Sequence, residues 1–297
     1  MPGLFHLFKN IPAGGPTPAT GAYFQNRTPN FSKKFALDFC LKIYARPATD
    51  DFANNQSTNA KISRARAARR CGQLLGGFVI EDIAAAVDEA VAHGAAAAPL
   101  LGVPCPIKDL NPVAGVGWEA GSTAMRGNVA DADDNIVGWL AGAGTVMLGK
   151  TATPEFGLPC YTEPDGAPAA RTPWDLSRSA GGSSGGAAAA VATGLAPIAH
   201  ASDGGGSIRI PASACGLVGL KASRGRISAG RLRMPGPGLG TDGVLSRTVA
   251  DTAVALDVLA GHGVGETFQV RSPDGSFLDA ARRGPGVLRV GVLTTPV

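Results

Sequence analysis

Three consecutive glycines, Gly204–Gly206, run directly into Ser207-Ile208-Arg209-Ile210-Pro211. Glycines let a backbone approach a substrate closely, and the N–H groups of Gly204, Gly205, Gly206 and Ser207 can converge on one oxyanion. We read a short helix over Ser207–Cys215, whose N-terminus would add positive potential at the same place. That is the equipment of a nucleophilic serine, although Ser207 also reads as a plain helix cap. It has no base nearby in sequence. His200 lies on the preceding strand, would have to fold back, and reads first as a packed strand residue. A lysine can serve instead where burial brings its amine toward neutrality.

Two other patterns compete. Gly144-x4-Gly149-Lys150-Thr151 matches the P-loop by letter. Its middle residues, Thr-Val-Met-Leu, read instead as the inside of a strand, and Pro154 stands where the phosphate-binding helix should run. A buried strand ending at Lys150 is the preferred reading. Gly181-Gly182-Ser183-Ser184-Gly185 matches G-x-S-x-G at both serines. A Ser-His-Asp esterase would draw on Asp242 or Asp251 and on His262. Yet Gly261-His262-Gly263 looks like a solvated turn after a helix, and Trp174–Ala180 is polar and loop-like rather than a buried strand.

The elements that must position these residues alternate along the chain. Helices are expected over Ile80–His93, Asn135–Ala143, Ser184–Thr193 and Thr248–Ala260. Strands are expected over Val103–Ile107, Thr145–Leu148, Ala196–Ala201, Leu217–Leu220 and Leu288–Leu293. Such alternation indicates an α/β domain with a central sheet covered by helices on both faces. Residues 1–70 form a basic leader of uncertain order. They carry Lys9, Lys33, Lys34, Lys42, Lys61 and a run of arginines ending at Arg69 and Arg70, against only Asp38, Asp50 and Asp51 as acids. They contain no nucleic-acid-binding motif, so a solvated arm is the preferred reading. The domain is assigned to 71–297, with its core over 100–260. Because a strand ending the chain would leave the sheet uncovered, the natural domain is expected to be longer, truncated here at its C-terminus.

Five scattered cysteines (Cys40, Cys71, Cys105, Cys160, Cys215) include no C-x-x-C pair, which argues against a disulfide framework and a zinc site. Neither a secretory signal nor an 18-residue apolar run is present. A cytoplasmic protein with reduced thiols follows as the default.

Taken together, these segments resemble the amidase signature family of serine hydrolases. The lysine of the family's I-K-D-L strand end matches Lys108. The first serine of G-G-S-S-G-G matches Ser183, and the serine of D-x-G-G-S-I-R-x-P-A matches Ser207. Supporting text includes Thr153-Pro154-Glu155-Phe156-Gly157, Arg171-x-Pro-Trp174, Gly219-Leu220-Lys221 and Gly243-x-Leu-Ser-Arg247-Thr248. The likeness covers about residues 80–260.

The resemblance implies a Ser–Ser–Lys triad of Lys108, Ser183 and Ser207 with an acyl-enzyme, and a cis peptide bond before Ser183. Ser184, Asp203 and Arg209 are structural support, Ser184 as a helix cap and the other two as a pair shaping the loop. The fold implied is a mixed central sheet with helices on both faces. The activity implied is hydrolysis of carbon–nitrogen bonds in non-peptide or small linear and cyclic amides. The expected partner is a small-molecule amide, with no cofactor, metal, nucleic acid or membrane; a homodimer is admitted. Gly157-Leu158-Pro159-Cys160-Tyr161-Thr162-Glu163-Pro164 and the triple glycine resemble the bacterial branch that hydrolyses aminohexanoate oligomers. The family's transamidosome subunit is a weaker match. Members are usually longer than this chain and begin with helices, so an inactive or poorly folding fragment stays open beside the esterase.

Overall fold

The computed structural model describes residues 22–23, 98–147, 149–230, 238–263, 266 and 270–292. Apart from Ala22–Tyr23, the basic leader lies outside these residues, as does the helix expected over Ile80–His93.

The first sheet is small and mixed. Strand β1 (Ala22–Tyr23) runs antiparallel to β3 (Lys150–Thr151), and β2 (Ile107–Lys108) runs parallel to β3 on its other side. Bonds from Ile107 N–H to the Gly149 carbonyl and from Asp109 N–H to the Thr151 carbonyl fix this register. A bridge between Pro104 and Val146 extends the parallel contact backwards. Of the strand expected at Val103–Ile107 only Ile107 is strand, and of that expected at Thr145–Leu148 only Val146 is bridged; the strand itself comes later, at Lys150–Thr151, and Leu148 is not among the described residues. The P-loop match ends in strand rather than in a phosphate-binding helix: Lys150 is buried in β3 and its amine is committed inside the protein.

The second sheet is antiparallel, in the order β6 (Ile198–Asp203), β8 (Thr241–Ser246), β7 (Val218–Gly219). It abuts the first, where His200 N–H donates to the Pro106 carbonyl at 3.0 Å. Side chains alternate along β6 as a strand requires. Ile198 joins one apolar cluster while Ala199 and Ala201 join another. The first cluster holds helices α1 (Asn135–Gly142) and α4 (Val249–Leu259), with Ile136, Leu140, Val254 and Leu259 at its centre. The second holds α2 (Gly185–Ala192) and α3 (Arg209–Cys215). A sheet covered by helices on both faces is the expected α/β arrangement. In α2 every residue from Gly185 to Val191 is buried, because Gly and Ala alone let its backbone lie close to β6 and β2.

Four elements depart from expectation. Strand β8, Thr-Asp-Gly-Val-Leu-Ser, is buried throughout yet has no apolar run, because its polar side chains are satisfied by neighbours. The Ser246 hydroxyl, for instance, meets Thr248 O and Thr252 Oγ1, both at 2.7 Å. The polar, loop-like stretch Trp174–Ala180 contains β5 (Asp175–Ser179), paired antiparallel with β4 (Arg171–Thr172). Its side chains are mostly exposed, so it carries no core pattern. Helix α5 (Phe277–Arg282) was not anticipated. Asp257 on α4 accepts from its Phe277 and Leu278 N–H groups at 2.6 and 3.1 Å. Finally, residues 288–292 form no strand. The apolar run is there, but among the described residues no strand pairs with it, and Val290 and Val292 are each 79% exposed.

Candidate active site

Lys108 ends β2 and has no exposed surface, the largest side chain so enclosed among the described residues. Lysine is almost never fully buried unless its amine is partnered. Here Nζ donates to Ser183 Oγ at 2.7 Å, to Ser202 Oγ at 3.1 Å and to the Ser202 carbonyl at 3.5 Å. Ser202 escaped the sequence reading; a short hydroxyl one position before Asp203 on the inward strand was the available signal.

Ser183 is brought to Lys108 by the Gly181–Gly186 loop, and the Gly182–Ser183 peptide bond is cis, as the resemblance implied. Thr162 clamps the loop: its hydroxyl donates to the Gly181 carbonyl at 2.9 Å and accepts from Gly185 N–H at 3.1 Å. Glycine is required at 182, where a Cβ would stand 2.6–2.7 Å from Tyr161 backbone atoms. Ser184 occupies the cap position of α2, but its hydroxyl bonds no helix N–H. It bonds instead to the backbone of β6, donating to the Ser202 carbonyl at 3.3 Å and accepting from Ser202 N–H at 3.4 Å. Ser184 thus ties the glycine loop to the strand that carries Ser202.

Ser207 lies in a turn two residues before α3, so it is not the cap of that helix. Helical bonding begins with Ile210 N–H donating to the Gly206 carbonyl at 2.7 Å. The turn is built around Asp203, which is fully buried. Its carboxylate accepts from the N–H groups of Gly206 (2.7 Å), Ile208 (3.1 Å) and Arg209 (3.3 Å). It also receives the Arg209 guanidinium at 2.9 Å on each oxygen. Burial alone would raise this carboxyl, but the Arg209 and backbone bonds outweigh it and hold Asp203 well below the usual carboxylate range. Arg209 and Asp203 are thus paired within the turn. One consequence was not foreseen: Gly206 N–H is spent on Asp203. Among the described residues no group accepts from the N–H of Gly204, Gly205 or Ser207, and Gly204 and Gly205 are exposed.

Beside Lys108, Asp109 and Lys150 form an ion pair at 2.9 Å, and Lys150 also donates to the Asn111 carbonyl at 2.7 Å. Burial pushes Asp109 up and Lys150 down, and each charge partly restores the other. This pair locks β2 to β3 behind the site.

The esterase residues do not assemble. His262 is exposed and lines a shallow cleft with Arg226, Asp257 and Phe277, away from both loop serines. Asp242 instead meets His200 at 3.2 Å, and Asp251 sits in the first turn of α4. Among the described residues no cluster suited to a metal ion occurs, and no helix is long and apolar enough to cross a membrane.

The family model described as Amidase matches residues 60–297. The 6-aminohexanoate-cyclic-dimer hydrolase of Paenarthrobacter ureafaciens is 46% identical over 207 residues, which are 67% of this chain and 42% of that enzyme. The acylamidase of Rhodococcus erythropolis is 38% identical over 252 residues, 84% of this chain and 53% of that one. Among solved structures, 6-aminohexanoate cyclic dimer hydrolase complexed with substrate superposes with a TM-score of 0.68 at 37% identity. That match covers 82% of this chain and 51% of the other. The chain thus spans about half the length of the relatives it matches. With the family model covering most of the sequence and the fold shared with a solved member, the chain belongs to the amidase signature family.

Proposed function

We propose that the chain hydrolyses a carbon–nitrogen amide bond through Lys108, Ser183 and Ser207. The carrying observation is the 2.7 Å contact between the enclosed Lys108 amine and Ser183 Oγ. In this reading unprotonated Lys108 takes the proton of Ser183 as Ser183 takes that of Ser207. Ser207 Oγ then attacks the amide carbonyl. The negative charge that develops on the carbonyl oxygen is met by the N–H groups of Gly204, Gly205 and Ser207, Gly206 being committed to Asp203. As the tetrahedral intermediate collapses, the proton held by Lys108 returns along the relay to the leaving nitrogen. Water then adds to the acyl-enzyme with the same groups as base and acid.

For substrate, the similarity to 6-aminohexanoate-cyclic-dimer hydrolase supports a small linear or cyclic amide. Buried, unpaired Cys105 and Cys215 support a reducing, cytoplasmic setting; burial pushes the Cys105 thiol up to about 12, so it is an inert core group. The test is hydrolysis of 6-aminohexanoate cyclic dimer and of a simple aryl amide by the purified chain. Ser207→Ala and Lys108→Ala are expected to lose about 10⁴-fold in kcat/KM, the scale seen when one member of a catalytic triad is removed. His262→Ala is expected to match the wild type. Full activity in Lys108→Ala would overturn the mechanism.

A further inference from the structure

Two buried ionisable side chains touch the site and have no part in the relay. His200 has no exposed surface and Asp242 is 3% exposed. They lie on paired strands: His200 is opposite Val244 and Ser202 is opposite Asp242, so the two side chains are diagonal neighbours on one face. His200 Nε2 is 3.2 Å from Asp242 Oδ1. On the other side of the ring, the backbone N–H of Lys108 donates to His200 Nδ1 at 3.3 Å.

The second bond decides the protonation pattern. A ring nitrogen that accepts a hydrogen bond carries a lone pair, so the ring proton sits on Nε2 and is donated to Asp242. The flanking N–H groups of Ile107 and Asp109 donate to the Gly149 and Thr151 carbonyls on the β3 side. The N–H of Lys108 faces the other way, toward β6, and the imidazole nitrogen stands where a neighbouring strand would ordinarily offer a carbonyl. Strand β6 therefore holds Lys108 at both ends: His200 at its amide, Ser202 at its amine.

We propose that His200, held as the neutral Nε2–H tautomer by Asp242, is a positioning residue that fixes the backbone of Lys108 and so aims its amine at Ser183. This rests on the Ser–Ser–Lys reading above. Without the acceptor, the buried Lys108 N–H would lose the bond that ties it to β6, and the two-residue end of β2 would be free to shift. A displacement near 1 Å at a catalytic group is enough to cost about 10²-fold in rate.

The experiment is fluorophosphonate labelling kinetics of Ser207 in the full chain, with wild type and three variants, each checked for a cooperative thermal melt. His200→Leu fills the space without an acceptor; its maximal labelling rate is expected to fall about 10²-fold with an unchanged half-saturating probe concentration. His200→Asn, whose amide oxygen can stand where Nδ1 stands, should recover to within about tenfold of wild type. Asp242→Asn can present an amide donor to Nε2, which permits the wrong tautomer, and is expected to slow labelling without altering probe affinity. It remains informative should His200→Leu fail to fold. In parallel, nitrogen-15 spectra of the histidine-labelled chain should show His200 as the neutral Nε2–H form. Wild-type labelling rates in both His200→Leu and Asp242→Asn, or an Nδ1–H or doubly protonated His200, would overturn this proposal and leave the amidase reading intact. A wild-type chain that takes no label on Ser207 would instead sink the amidase reading, and this proposal with it.

Discussion

Lys108 is enclosed with its amine held by two short hydroxyl side chains, those of Ser183 and Ser202. Ser183 is set by the glycine loop, Ser202 by β6, and the strand end by the partly buried Asp109–Lys150 pair. Asp203 plays the corresponding part for Ser207, gathering three N–H groups and Arg209 into one turn. Its chemistry gives a pH expectation. The folded-state carboxyl is depressed below its unfolded value of about 3.9. Its stabilisation is therefore fully present above that pH, and is lost as pH falls below it toward the folded value. Acid unfolding followed by circular dichroism should show a stability loss beginning near pH 4 that Asp203→Asn flattens, because the variant has no such proton to take up. An identical acid limb in the variant would contradict the role given to Asp203.

Elements as short as β2 and β3, two residues each, hold the site only because neighbours leave them no alternative. The glycine loop shows this most directly. At Gly182 any side chain meets Tyr161 backbone, which cannot swing aside. Gly182→Ala is expected to destabilise the fold by about 1–3 kcal/mol, the cost of overpacking a close-packed interior, readable as a lowered thermal midpoint. Gly204→Ala, where a Cβ meets nothing within 4 Å, should leave the midpoint unchanged. Equal stability in both would contradict the packing account. Helices α1, α2 and α4 were legible in the sequence to within a residue or so at each end, because helical periodicity or a run of small residues marks them. Lys108 and Ser183 were legible through motif resemblance, and the structure brings them into contact. Strand β8 was not legible, since a fully buried strand carrying Asp242, Thr241 and Ser246 shows its logic only once their partners are placed. Ser202 was missed for the same reason. Its relation to Lys108 spans 94 positions, and no local pattern encodes that.

At the scale of the molecule, two apolar clusters take opposite faces of β6, the strand that carries Ser202 and leads into the triple glycine. One surface stands apart from these clusters. Val287, Leu288, Val290 and Val292 are all at least 65% exposed, a short apolar run with high strand propensity. Such a run binds hydrophobic dyes and favours edge-to-edge association. Val290→Lys combined with Val292→Lys is expected to lower dye fluorescence and raise solubility without moving the thermal midpoint; unchanged dye binding would show that the segment is covered in solution. The central claim, that one serine beyond the triple glycine is activated through a buried lysine, is tested most directly by mapping the residue modified by a fluorophosphonate probe. The account predicts a single adduct on Ser207 that disappears in Lys108→Ala. An adduct on Ser183 or Ser184 with Ser207 untouched, or labelling of Ser207 that persists at full rate in Lys108→Ala, would contradict it.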